Sequence, residues 1–112
     1  MTDCLYMDET DFEIFAEKIL LKIADHIEDN DEDSIFEVDY LDGILDIKIF
    51  ATGQKYIINK HRASQKIWFS SPNIGAKYFS YEANLKKWID NEDELWQYFF
   101  DELKKFYNFN PR

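Results

Sequence analysis

The 112-residue chain reads as an α+β two-layer sandwich, with two terminal helices packed on one face of an antiparallel sheet of about six strands. Two observations carry that reading. The first and last stretches space their apolar residues by three and four, as amphipathic helices do. Everything between them alternates apolar and polar residues in short runs separated by turn signals, as a meander of strands does. No internal repeat, low-complexity tract or linker breaks the order, so residues 1–112 are read as one domain.

Thr10-Asp-Phe-Glu13 has the spacing of a capping box, with Thr10 at the N-cap and Glu13 reaching back. Phe12, Phe15, Ala16, Ile19, Leu20, Ile23 and Ile27 then form one stripe that ends near Asn30. At 100° per residue, Glu13, Glu17, Asp25, Glu28 and Asp29 gather on the far side. Asp29-Asn-Asp-Glu-Asp33 continues the acid run off the end of the helix, where carboxylates oppose the macrodipole and one another. A ligand or partner explains such a cluster better than stability does.

Ile35 to Leu41 and Gly43 to Phe50 are alternating segments around Asp42-Gly43, a strong hairpin signal. Phe36, Val38 and Tyr40 share one face of the first, with Glu37 and Asp39 on the other. Leu45, Ile47 and Ile49 look inward from the second. Thr52-Gly53 turns the chain into Lys55 to Asn59, and the polar loop His61 to Ser64 leads to the strand around Trp68. Pro72-Asn-Ile-Gly75 turns into Lys77 to Tyr81, and Leu85 to Ile89 is short enough for an edge strand. Asn91 and Glu94 form a second N-cap and N3 pair. They open a helix whose face carries Leu95, Phe99, Leu103 and Phe106.

One residue does not fit a purely structural account. At period two, Ile67 and Phe69 belong to the core, while Trp68 points the other way, between Lys66 and Ser70. With both helices on one face of the sheet, its indole is left in water, unless a loop or neighbouring side chain covers it. An exposed ring of that size is a candidate for recognition.

Composition narrows the function classes. The chain carries 23 acids against 13 Lys and Arg, a formal net charge of −10. Such a field repels nucleic acid and anionic membrane and attracts cations or basic protein surfaces. Hydrophobic content of 46% allows folding without disulfides or a structural metal. The single cysteine, Cys4, has no internal partner and suits a reducing compartment. There is no apolar run of membrane-spanning length, no signal-peptide core and no Arg/Ser-rich transit segment.

Asp8-Glu-Thr-Asp-Phe12 with Ala16-Glu17, Asp42-Gly-Ile-Leu45, Tyr56-Ile-Ile-Asn-Lys60, Ile67-Trp-Phe-Ser-Ser-Pro72 and Trp88 before the last helix together resemble the frataxin family. The resemblance runs from about residue 7 to residue 107, and the missing transit segment points to a bacterial, cytoplasmic member of the CyaY type. It implies an iron-binding, non-enzymatic protein of iron–sulfur cluster assembly that docks on a cysteine desulfurase and its scaffold protein. It further implies metal contact, labile and weak, at Glu9, Glu13, Glu17, Asp25, Glu28, Asp29, Glu32 and Asp33, with Glu37 and Asp39 from the adjoining strand. Partner contact falls on Asn59, Lys66 and Trp68. The protein is expected to be a monomer, with iron-dependent oligomerisation left open.

The chain departs from the family in ways that matter. Lys18 and Leu21 stand where some members carry acids, which favours the part of the acidic face around Asp25 to Asp33. Lys66 replaces a frequent Gln, and Tyr78 a frequent basic residue. Carboxylates are hard ligands suited to Fe²⁺, Fe³⁺, Mn²⁺ or Ca²⁺ on an open surface. No EF-hand loop, two-His-one-carboxylate set or Glu-x-x-His pair is present, and His26 and His61 are at most auxiliary ligands. Two other readings stay open. One is an acidic interaction domain without metal function; the other is a weak ferroxidase or iron store, for which the sequence offers no oriented base, nucleophile or closed pocket.

Overall fold

The computed structural model describes residues 7–111, so Cys4 lies outside the described residues. Helix α1 (Glu9–Asn30) is capped by Asp8, whose carboxylate accepts the Thr10 N–H at 3.0 Å. The capping box expected at Thr10 therefore does not form. An aspartate two residues upstream takes the cap, and Glu13 is engaged elsewhere. The buried stripe is Phe12, Ala16, Leu20, Ile23, Ala24 and Ile27, flanked by the partly buried Phe15 and Ile19. This is the expected face with Ala24 added.

Strands β1 (Phe36–Leu41), β2 (Ile44–Ile49), β3 (Lys55–His61), β4 (Lys66–Ser71), β5 (Gly75–Glu82), β6 (Lys87–Asp90) and β7 (Asp93–Glu94) follow. Each pairs antiparallel with its neighbours in sequence, in the order β1 to β7. Asp42 and Gly43 make the β1–β2 turn with φ of 53° and 79°, the left-handed pair that a two-residue hairpin needs. Gly43 has a second reason to be glycine, because a Cβ there would collide with the Lys60 side chain.

The last strands correct the sequence reading. Leu85 and Lys86 lie in the β5–β6 turn, and β6 starts at Lys87. Nor is β6 the edge: the two-residue β7 pairs with it through Ile89 opposite Glu94 and Asp90 opposite Asp93. A strand that short leaves no periodicity to read. Asn91 turns the β6–β7 connection with φ of 58° and caps nothing. Glu94 is the N-cap of α2 (Leu95–Tyr107), accepting the N–H groups of Trp96 at 2.9 Å and Gln97 at 3.1 Å.

Both helices cover the face formed by Phe36, Leu45, Ile47, Ile49, Tyr56, Ile58, Ile67, Phe69 and Phe79, all buried in one core. Phe12 meets Trp88 edge-on at 5.9 Å, and Phe99 meets Tyr56 at 5.1 Å and Phe69 at 5.7 Å. Each such ring contributes about 1.5–3 kcal/mol by leaving water. From α2, Leu95, Phe99 and Leu103 enter the core as expected, whereas Phe106 is exposed. Phe100 and Glu102 are buried in its stead, because the helix presents a broader face than one row of the 3.6-residue repeat.

Candidate functional site

The uncovered face of the sheet is built by strand register. Leu41 lies opposite Ile44, Ile44 opposite Asn59, Asn59 opposite Trp68 and Trp68 opposite Tyr78. This row crosses five strands on the side away from the helices. Leu41, Ile44, Trp68 and Tyr78 are all exposed, with Trp68 retaining 39% of its accessible surface. The indole is neither free nor hidden: His61 stacks on it at 3.9 Å and 12°, and Tyr78 meets it edge-on at 5.5 Å.

His61 is itself held in place. Its Nδ1 accepts the Ser64 N–H at 3.3 Å and lies 2.8 Å from the Ser64 hydroxyl. A backbone N–H can only donate, so Nδ1 is the acceptor and the proton of the neutral ring sits on Nε2. Lys66 lies opposite His61 in the β3–β4 pair, next to this stack. Asn59, Lys66 and Trp68 thus share one patch. Leu41, Ile44, His61 and Tyr78 join them. For Ile44 the signal was its phase: Leu45, Ile47 and Ile49 point inward, so Ile44 must point out.

The acidic residues are less unified than the sequence implied. Glu9, Glu17, Asp25, Glu28 and Asp29 are exposed along α1, and Glu32 and Asp33 in the loop after it. Glu13 accepts from both Lys60 and Arg62, the latter at 2.6 Å. Those bonds, Lys60's first, hold its carboxyl below the ordinary value of 4.5. Its charge is already matched. Glu17 lies near the Tyr40 hydroxyl, whose pKa is pushed up by burial and then by this carboxylate.

Glu37 and Asp39 point to the opposite side of the sheet from α1, since Phe36, Val38 and Tyr40 on the same strand pack inward. Glu37 sits opposite Lys48 and Asp39 opposite Asp46. The structure therefore splits the expected metal ligands between a helix surface and a sheet surface. Among the described residues, no group of three or more His, Cys, Asp or Glu is placed to hold a metal ion.

One acid of the run after α1 has a structural task that the sequence did not reveal. Asp31 accepts the N–H groups of Ile35 and Phe36, each at 2.8 Å, and so fixes the entry to β1. No described helix is long and apolar enough to cross a membrane.

Fold and surfaces define a small acidic α+β domain that displays an aromatic patch on a bare sheet face and carboxylates along its first helix. Residues 5–108 match the frataxin-like domain, and the chain belongs to that family. It is 37% identical over 86 residues to the mitochondrial frataxin of Dictyostelium discoideum, covering 76% of this chain but 41% of that protein. It is 29% identical over 85 residues to the iron–sulfur cluster assembly protein CyaY of Thioalkalivibrio sulfidiphilus, covering 76% and 78%. The fold superposes on the frataxin of Psychromonas ingrahamii with a TM-score of 0.80 at 20% identity, over 94% of this chain and 96% of that one. Trimeric yeast frataxin gives 0.71 at 26% identity, over 81% and 77%.

Proposed function

We propose that this protein binds iron weakly and regulates iron–sulfur cluster assembly by docking on a cysteine desulfurase and its scaffold protein. The observation that carries the reading is the exposed Trp68 patch in a chain of the frataxin-like family. An indole fixed by His61 and Tyr78 has little freedom left to lose, so it suits a contact at the centre of an interface. The scaffold, or the cleft between the two partners, is its proposed occupant, with Asn59 and Lys66 beside it. The name of the Thioalkalivibrio relative supports placing the role in cluster assembly.

The α1 surface serves the desulfurase and the metal. Asp25, Glu28, Asp29 and Asp33 are exposed acids that match a basic partner. Fe²⁺ is cargo or signal on the same oxygens, held by pairs of carboxylates that adjust to it, since no preformed cage exists among the described residues. Glu9, Glu17 and Glu32 extend that surface, and Glu37 and Asp39 add charge on the sheet side. Glu13 contributes least, being already paired. The proposed activity is binding.

The scatter of the acids, no three of which converge among the described residues, favours one further reading, an acidic docking domain that handles no metal. One experiment separates the two. Sulfide and cluster formation by a desulfurase with its scaffold are followed while this protein is titrated with and without Fe²⁺. A saturable change that depends on iron is expected. A change indifferent to iron means docking alone, and no change with no binding overturns both.

A further inference from the structure

A groove of about 320 Å³ lies between α2 and the turns after β4 and β6, lined by none of the α1 acids. Ile74, Tyr98 and Phe106 form apolar walls, and Glu92, Asp101 and Glu102 supply charge. Its distinguishing residue is Glu102, which is 4% exposed.

One oxygen of Glu102 is fully engaged. Oε2 accepts from the Tyr56 hydroxyl at 2.6 Å, from the Ser71 hydroxyl, and from Asn73 Nδ2 at 3.5 Å. Oε1 is buried and has no hydrogen-bond partner among the described residues. A carboxylate withdrawn from water with an idle oxygen is costly and calls for a donor. The neighbouring charges do not supply one. Lys77 is held by Asp93 at 2.8 Å and lies 4.9 Å over the Tyr98 ring. Lys105, which also lines the groove, rests over Phe106 at 5.5 Å. Asp101 accepts from Gln97 and keeps a second oxygen for a ligand.

A metal ion is disfavoured, because no three of these acids converge. An organic cation fits better. We propose that the groove receives a guanidinium group, the side chain of an arginine presented by a partner protein. A guanidinium carries several donors in one plane and can meet the idle Oε1 while Asp101 takes another. Its flat faces suit walls made of Tyr98 and Phe106, and its aliphatic stem suits Ile74. The surplus of carboxylates over Lys105 supplies the charge match. This would give the acidic protein a second contact for a basic partner, built from residues other than the α1 acids.

The test uses the full chain and N-acetyl-arginine amide, with N-acetyl-citrulline amide as the uncharged isostere. Amide chemical shifts are followed in ¹H–¹⁵N spectra. Saturable shifts confined to Ile74, Gln97, Tyr98, Asp101, Glu102 and Phe106 are expected with the arginine compound at roughly millimolar concentration, the range open to so small a ligand. The citrulline compound should leave them unmoved. Glu102→Gln should abolish the response. Because that change touches a buried network, Asp101→Asn and Phe106→Ala at exposed positions serve as independent checks, and each should weaken binding at least threefold. The proposal is overturned by no saturable response, by an equal response to citrulline, by shifts lying only on α1, or by full binding in folded Glu102→Gln.

Discussion

His61 lies flat on the Trp68 indole and Tyr78 meets its edge, so replacing the ring removes two aromatic contacts but no core. Such contacts are worth about 0.5–1.5 kcal/mol each beyond area. Trp68→Ala should therefore fold, with a small drop in melting temperature, yet lose its effect on desulfurase and scaffold. A collapse of the melting temperature would show the ring to be structural. Glu13 offers a test through pH. Its folded carboxyl titrates below 4.5, so its pairing with Lys60 and Arg62 stabilises the fold above that pH. The contribution is lost as pH falls through the lowered folded value. Glu13→Gln should thus melt earlier than the parent at about pH 7 and show a shallower acid limb; parallel melting curves between pH 7 and pH 3 would refute the assignment. The sequence disclosed Trp68 by its phase in β4. It could not disclose Glu13's partners, Lys60 near the end of β3 and Arg62 in the turn after it, 47 and 49 residues downstream.

The end of α1 shows how one run of acids divides its labour. Asp31 holds two backbone N–H groups of the β1 entry, whereas Asp25, Glu28 and Asp29 are exposed on the helix. Asp31→Ala should cost about 1–3 kcal/mol by stranding those donors. Combined Asp25→Lys, Glu28→Lys and Asp29→Lys should keep or raise the melting temperature, because cations suit a helix C-terminus. The same variant should lose iron and desulfurase affinity. Calorimetric titration alongside thermal melts separates the two effects, and unchanged affinity would remove α1 from the proposed interface. Helix extents were legible because their apolar stripes are long. Their caps were not: Asp8 and Thr10 are both cap residues by type, and Glu94, a poor cap by type, takes the place that Asn91 suits better on paper. Only the backbone around them decides, and Asn91 is spent in a left-handed turn. The splitting of Glu37 and Asp39 from α1 was readable by alternation alone, whereas the family resemblance grouped them with the helix acids.

At the scale of the whole molecule, a net charge of −10 works against the fold and for its encounters. Added salt screens both. Raising ionic strength should therefore stabilise the protein in thermal melts while slowing its association with a basic desulfurase. Association rates indifferent to salt would mean that the Trp68 patch, not the acidic surface, governs docking. The architecture itself was legible in outline, since two helical stripes flanking alternating segments leave few topologies. The seventh strand was not, being only two residues long.

The strand order has a consequence for how the molecule assembles in time. Every strand pairs with the one beside it in sequence, so the meander can zip from short loops at little entropic expense. The distant encounters are Phe12 with Trp88, Glu13 with Lys60 and Tyr56 with Glu102. We predict that these helix-docking contacts set the folding barrier: Phe12→Leu should slow refolding more than it speeds unfolding, and a chevron with the reverse pattern would place docking after the barrier. On that account the bare sheet face that holds Trp68 is shaped early, and the two helices seal its other side last.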